Sequence, residues 1–316
     1  MFTSVTSSLK SLGLVSVSAL SLMACSPQDK ATAPTETQPD ATEAKAKTEL
    51  NFGIINTESS QNLKKDWEPL LADLGKATGM EVKPFFASDY AGVIQAMRFG
   101  KVDMAWYGNK SAMEAVDRAD GEVFAQVVYA DGSTGYNSLL IANKDSNLTN
   151  EKDVLAKAGE LTFGNGDPNS TSGNLVPAYY LFGKNNVSAN DIFKRTLNAN
   201  HESNAMAVAN KQLDVATFNS SNWEMMAEKQ PQIIAKLKVL WESPQIASDP
   251  LVWRKDMAAE TKTKVKDFFV GYGSTPEQTK TLATLGWSKF RASDNTQLDP
   301  VRELEAFKQE MAKKAK

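Results

Sequence analysis

Cysteine and histidine each occur once in the 316 residues, at Cys25 and His201. One cysteine excludes an intrachain disulfide. One histidine excludes paired-histidine zinc sites, and the HESNA run beginning at His201 is not the H-E-x-x-H metalloprotease pattern. No G-x-S-x-G elbow and no complete P-loop occur. An excess of positive charge is missing too. The net charge of −3 provides no basic field for nucleic acid or an anionic membrane surface. An anionic ligand would have to be held by local donors.

What is present begins with an address. Lys10 precedes an apolar, serine-diluted stretch from Leu12 to Met23. It is shorter than the roughly 20 apolar residues a spanning helix needs. Residues 1–24 read as an export signal, and Leu22-Met23-Ala24-Cys25 resembles the lipobox of bacterial lipoproteins. The alternative is a plain signal peptide that leaves an incidental cysteine. Residues 25–48 are rich in Pro, Thr, Ala and charge, and read as a flexible tether. The expectation is a domain in the periplasm or at the cell surface, held to a membrane only through a lipid on Cys25.

From Glu49 onward, short apolar runs alternate with helical patterns. Leu50–Ile55 reads as a strand, followed by a helix whose apolar positions Leu63, Trp67, Leu70, Leu71 and Leu74 lie on one face. Gly79 is expected to stop that helix. Strands are predicted at 82–86, 104–106, 123–129, 136–142, 161–163, 195–197, 215–218, 237–241 and 250–253. Helices are predicted over 91–99, from about 172 and from 201, with a mostly helical tail from 258. This alternation predicts an α/β fold with largely parallel sheets. About 268 residues suggest two lobes, 49–140 plus 245–316 and 141–244, with a ligand cleft between them.

The loop Phe163–Gly173 (FGNGDPNSTSG) joins a predicted strand to a predicted helix. Gly164 and Gly166 permit tight backbone geometry, and Asn169, Ser170, Thr171 and Ser172 arrive where a helix begins. Unpaired N–H groups and hydroxyl donors suit a tetrahedral oxyanion. Helix capping competes with that reading but requires only one hydroxyl. A dinucleotide fingerprint fails on its third glycine, and a calcium loop fails at position six.

The segments at 51–59, 85–92, 102–119, 162–173, 209–217 and 249–255 resemble the phosphonate-binding proteins of bacterial phosphonate ABC importers. The resemblance implies a two-lobed type II periplasmic-binding fold with a hinge, no chemical step, no cofactor or metal, and docking on a permease. It implies that Ser170, Thr171, Ser172 and His201 hold the phosphonate, that Tyr90 and Tyr136 line the cleft, and that Asp249 faces a ligand ammonium. A protonated His201 would add a cation. Ser221 stands where aminoalkyl-phosphonate binders of the family carry a Glu, so weaker amine selectivity and a small ligand such as methylphosphonate are expected. Two other functions stay open: an oxyanion-sensing signalling lipoprotein, and a hydrolase using Ser170 or Ser172 with His201.

Overall fold

Each of the first three helices follows a strand whose C-terminal end faces a common edge, and the site is assembled along that edge. In the computed structural model the described residues are 48–314. The signal, Cys25 and nearly all of the tether lie outside them. The chain opens with β1 (Glu49–Ile54), α1 (Ser60–Thr78), β2 (Glu81–Phe86), α2 (Tyr90–Arg98), β3 (Met104–Trp106), α3 (Asn109–Arg118) and β4 (Gly121–Tyr129). A short β5 (Gly135–Tyr136) leads into β6 (Ser138–Asn143), α4 (Glu151–Lys157), β7 (Thr162–Asn165), α5 (Ala189–Ile192), β8 (Arg195–Asn198), α6 (His201–Ala209) and β9 (Val215–Asn219). Then come α7 (Ser220–Lys229), α8 (Pro231–Ile234), β10 (Leu237–Glu242), β11 (Ile246–Ala247) and β12 (Pro250–Arg254). The chain finishes with α9 (Ala259–Gly271), α10 (Pro276–Thr284), β13 (Trp287–Ala292) and α11 (Asp299–Lys314).

The strands form two sheets, ordered β13-β4-β12-β3-β1-β2 and β10-β6-β9-β7-β8, one for each lobe. The passages between them pair with each other, Ile246 opposite Tyr136 and Ala247 opposite Gly135. A Cβ on Gly135 would lie 2.7 Å from the Ile246 carbonyl oxygen, so only glycine lets the passages approach this closely. The predicted strand over 136–142 is therefore two strands, β5 in the passage and β6 in the second sheet.

The sheets are mixed, not largely parallel. β12 runs antiparallel to β3 and β4, and β6 runs antiparallel to β9. The cause is the crossing itself. A strand that enters from the other lobe starts at the edge where the remaining strands end. Asp249, just before β12, and Tyr136, just before β6, thereby reach the same edge as the C-terminal ends of β3, β4, β7 and β9.

The first sheet's core centres on Trp67 of α1. Its ring lies 5.3 Å from Phe52, 5.5 Å from Trp106 and 5.3 Å from Trp287. Trp287 belongs to β13, which interrupts the tail expected to be helical. A register shift between Trp287 and Lys289 breaks the alternation that would have marked this strand. β6 is buried on both faces, with Leu139 and Ile141 in one cluster and Leu140 and Ala142 in another, which explains its continuous apolar run. Gly79 ends α1 at φ 71°, the left-handed conformation that favours glycine. Trp67→Ala is expected to cost about 3–5 kcal/mol, read as a lower denaturant midpoint. Phe99→Ala, on a ring 70% exposed, should leave that midpoint within about 0.5 kcal/mol of the parent's.

Candidate functional site

The loop after β7 is shaped by close packing. Gly166 donates its N–H to the Gly173 carbonyl at 2.9 Å. A Cβ on Gly166 would lie 2.5 Å from Gly173 Cα, and one on Gly164 would lie 2.7 Å from Asn204 Oδ1. The glycines are thus required by close approach, with no left-handed φ at either. The helical segment that follows begins at Thr171 and is wound wide. The Leu175 N–H bonds the Ser170 carbonyl, five residues back, at 3.1 Å.

Each of the three hydroxyl oxygens in this loop accepts a hydrogen bond from a protein N–H. Ser170 Oγ accepts from the Gly173 N–H at 3.0 Å and caps the turn. Thr171 Oγ1 accepts from the Lys110 N–H at 2.8 Å, and Ser172 Oγ accepts from Asn219 Nδ2 at 3.4 Å. With the oxygens occupied as acceptors, their hydrogens remain to be donated. The capping and oxyanion readings are therefore compatible: Ser170 serves the cap, and all three hydroxyls stay available as donors.

A cavity of about 170 Å³ opens beside them. Its lining brings together all eight residues singled out from the sequence: Tyr90, Tyr136, Ser170, Thr171, Ser172, His201, Ser221 and Asp249. Four lining polar atoms are buried without a partner: Trp106 Nε1, the Tyr129 hydroxyl, His201 Nδ1 and Asp249 Oδ1. Such atoms carry a desolvation cost that a ligand can offset.

Charge is distributed unevenly. Among the described residues, no Lys or Arg lines the cavity, while Glu58, Glu224, Glu228 and Asp249 do. The nearby Lys110 is buried and its Nζ is paired with Glu114 at 2.5 Å and Glu305 at 3.2 Å. Burial pushes Asp249 up to about 7, partly offset by the Tyr136 hydroxyl. Burial also holds the Tyr90, Tyr129 and Tyr136 phenols well above their ordinary value. It pushes His201 down to about 4. The imidazole is therefore neutral at pH 7 without an anion beside it, and a cationic form would need a bound anion to raise its pKa.

Glu202, the neighbour of His201, points elsewhere. Its carboxylate accepts from the Ser59 N–H at 2.9 Å, Asn62 Nδ2 at 3.0 Å and Gln230 Nε2 at 2.8 Å. Ser221 Oγ is turned to Asn219 Oδ1 at 2.9 Å. Sequence reasoning did not single out Trp106, Tyr129 or Asn219. All three are the last residues of strands β3, β4 and β9, and that position was the available signal.

Comparison with known proteins agrees with this geometry. Residues 52–298 match the family model described as the phosphonate ABC transporter periplasmic substrate-binding protein. The chain is 62% identical over 260 residues to the phosphonates-binding periplasmic protein of Escherichia coli, covering 82% of this chain and 77% of that one. A binding-protein component of an ABC phosphonate transporter from Pseudomonas aeruginosa superposes with TM-score 0.82 at 62% identity, covering 84% of this chain and 88% of that one. PhnD1 of Prochlorococcus marinus, solved with methylphosphonate, shares the fold with TM-score 0.73 at 22% identity, covering 81% of this chain and 97% of that one. A two-lobed α/β frame, a donor-lined cavity and these similarities lead to one conclusion: the chain belongs to the periplasmic substrate-binding proteins of phosphonate ABC transporters.

Proposed function

We propose that this protein captures a small phosphonate between its lobes and delivers it unchanged to the permease of an ABC importer. The observation that carries this reading is the trio of hydroxyls at Ser170, Thr171 and Ser172, each accepting from a protein N–H and left with a proton to donate. In the proposal His201 Nδ1 and Tyr90 complete the oxyanion end, using neutral donors in a dry site where hydrogen bonds to an anion are strong. The cavity is smaller than the roughly 300 Å³ at which drug-sized sites begin, which suits a ligand of few atoms.

The other end of the ligand is read as an amine. Asp249 Oδ1 is buried and unpartnered, and three glutamates line the same cavity with no cation among its lining residues. This reverses the preference expected from Ser221 alone. Ser221 is occupied with Asn219, and Asp249, beside the Tyr136 hydroxyl, takes the role of ammonium partner. The lobes would hinge at the paired passages β5 and β11, and a lipid on Cys25 would keep the domain beside the membrane.

A hydrolytic reading has less support, because the one carboxylate adjacent to His201 in sequence is held by Ser59, Asn62 and Gln230. Incubating the protein with methylphosphonate or 2-aminoethylphosphonate should return the ligand unaltered, and turnover of either would refute the proposal. A Ser170→Ala, Thr171→Ala double variant should bind both ligands at least about 30-fold more weakly by calorimetry, two lost charge-assisted donors costing roughly 2 kcal/mol or more.

Asp249 generates a pH signature. Its carboxyl stays neutral in the empty cavity until about pH 7, while an ammonium partner favours the ionised form. The affinity ratio of 2-aminoethylphosphonate to methylphosphonate should therefore rise between about pH 5.5 and pH 7 and level off above. Asp249→Asn should flatten that profile and weaken the amine ligand roughly 30-fold or more, with methylphosphonate affected far less. Equal losses for both ligands would show that Asp249 does not read the amine.

A further inference from the structure

Three helices of the first lobe, α1, α2 and α3, begin at the cleft, and each receives a side chain from the second lobe at its first turn. α1 starts from its N-cap Ser59, whose hydroxyl accepts from the Asn62 N–H at 3.3 Å. In a capping box the residue three positions on, here Asn62, would return a carboxylate to the N-cap N–H. Asn62 has no carboxylate. Glu202 of α6, in the other lobe, supplies it to the Ser59 N–H at 2.9 Å and also holds Asn62 Nδ2. α2 starts from Asp89, which caps the Gly92 N–H. Its first N–H, from Tyr90, goes across the cleft to Asp167 Oδ2 at 3.2 Å. α3 starts from Gly108, which has no side chain to cap with. Its Lys110 N–H is taken by Thr171 Oγ1 at 2.8 Å.

We propose that Glu202 and Asp167 are positioning residues that, together with the ligand-facing Thr171, close the lobes by capping three first-lobe helices in trans, so that ligand affinity depends on two carboxylates that touch no ligand. The proposal rests on the reading of this protein as a phosphonate-capturing, closing one. The first turn of a helix leaves N–H groups unpaired and carries partial positive charge. With the lobes apart, those ends face water. Closure exchanges that water for two carboxylates and a hydroxyl already oriented by local bonds: Asp167 Oδ1 is fixed by the Asn169 N–H at 2.7 Å, and Glu202 by Gln230. An ion pair from Lys229 to Asp66 of α1, at 2.5 Å, stands beside the Glu202 contact. Thr171 links the two events. Its oxygen accepts from α3 while its hydrogen serves the oxyanion, so bound ligand fixes the rotamer that caps.

The experiment uses the full chain and two variants, Glu202→Ala and Asp167→Asn. Calorimetry with methylphosphonate and with 2-aminoethylphosphonate is paired with hydrogen exchange at the Ser59, Tyr90 and Lys110 amides. In the parent, all three amides should gain protection when ligand saturates the site. Glu202→Ala and Asp167→Asn should each weaken both ligands by the same factor, about tenfold for one lost cap. Each should also abolish ligand-dependent protection at its own amide, Ser59 or Tyr90, while leaving Lys110 protected. Affinities within twofold of the parent for both carboxylate variants would overturn the proposal, as would a factor that differs between the two ligands. A parent that binds neither phosphonate defeats the functional reading instead, and the same titration separates the two failures. Thermal unfolding of each variant identifies one that does not fold, and the remaining carboxylate variant then decides.

Discussion

An anion can be held without a cation when each donor is fixed in advance by a partner of its own. At Ser170, Thr171 and Ser172 the hydroxyl oxygens are committed to the Gly173, Lys110 and Asn219 N–H groups, and only their hydrogens remain for a guest. Much of the neighbouring structure serves that commitment. Gly166 and Gly173 bring the backbone close enough for the loop to turn, β9 ends at Asn219 to steady Ser172, and α3 arrives from the opposite lobe to steady Thr171. Lys110, buried nearby, is paired with Glu114 and Glu305, so the proposed anion end rests on donors and not on a point charge.

The same cavity is also lined by four carboxylates, those of Glu58, Glu224, Glu228 and Asp249. Burial makes Asp249 difficult to ionise and His201 difficult to protonate. At pH 7 the His201 imidazole is therefore neutral and the Asp249 carboxyl sits near its midpoint, each with one unpartnered atom. In the proposed mode a zwitterionic guest would satisfy both groups together, while a simple anion would satisfy only one.

Much of this was legible in the sequence because the oxyanion loop is local. A strand, two glycines and a run of hydroxyls lie within eleven residues, and the periodicities flanking them identify both elements. The contributions of Trp106, Tyr129 and Asn219 were not legible, because each is one apolar-looking or capping residue at the end of a separate strand and becomes a neighbour of the loop only in the folded chain. β13 was obscured by the bulge between Trp287 and Lys289. Glu202 is the converse case. It adjoins His201 in sequence, yet consecutive helical residues point about 100° apart, and its carboxylate belongs to α1 of the other lobe. The antiparallel course of β6 and β12 followed from the crossing, which no local pattern encodes.

The passages between the lobes behave as a ribbon and not as two strings. Gly135 and Ala247, and Tyr136 and Ile246, are tied side by side as β5 and β11, with the glycine allowing contact that any other residue would hold apart. A two-stranded ribbon bends readily across its face but resists being sheared or stretched along its length. Tyr136 is itself part of that ribbon and also part of the cavity wall. If the lobes turn about this ribbon as proposed, the axis passes beside the cavity, and a large swing at the cleft mouth displaces the wall at Tyr136 very little.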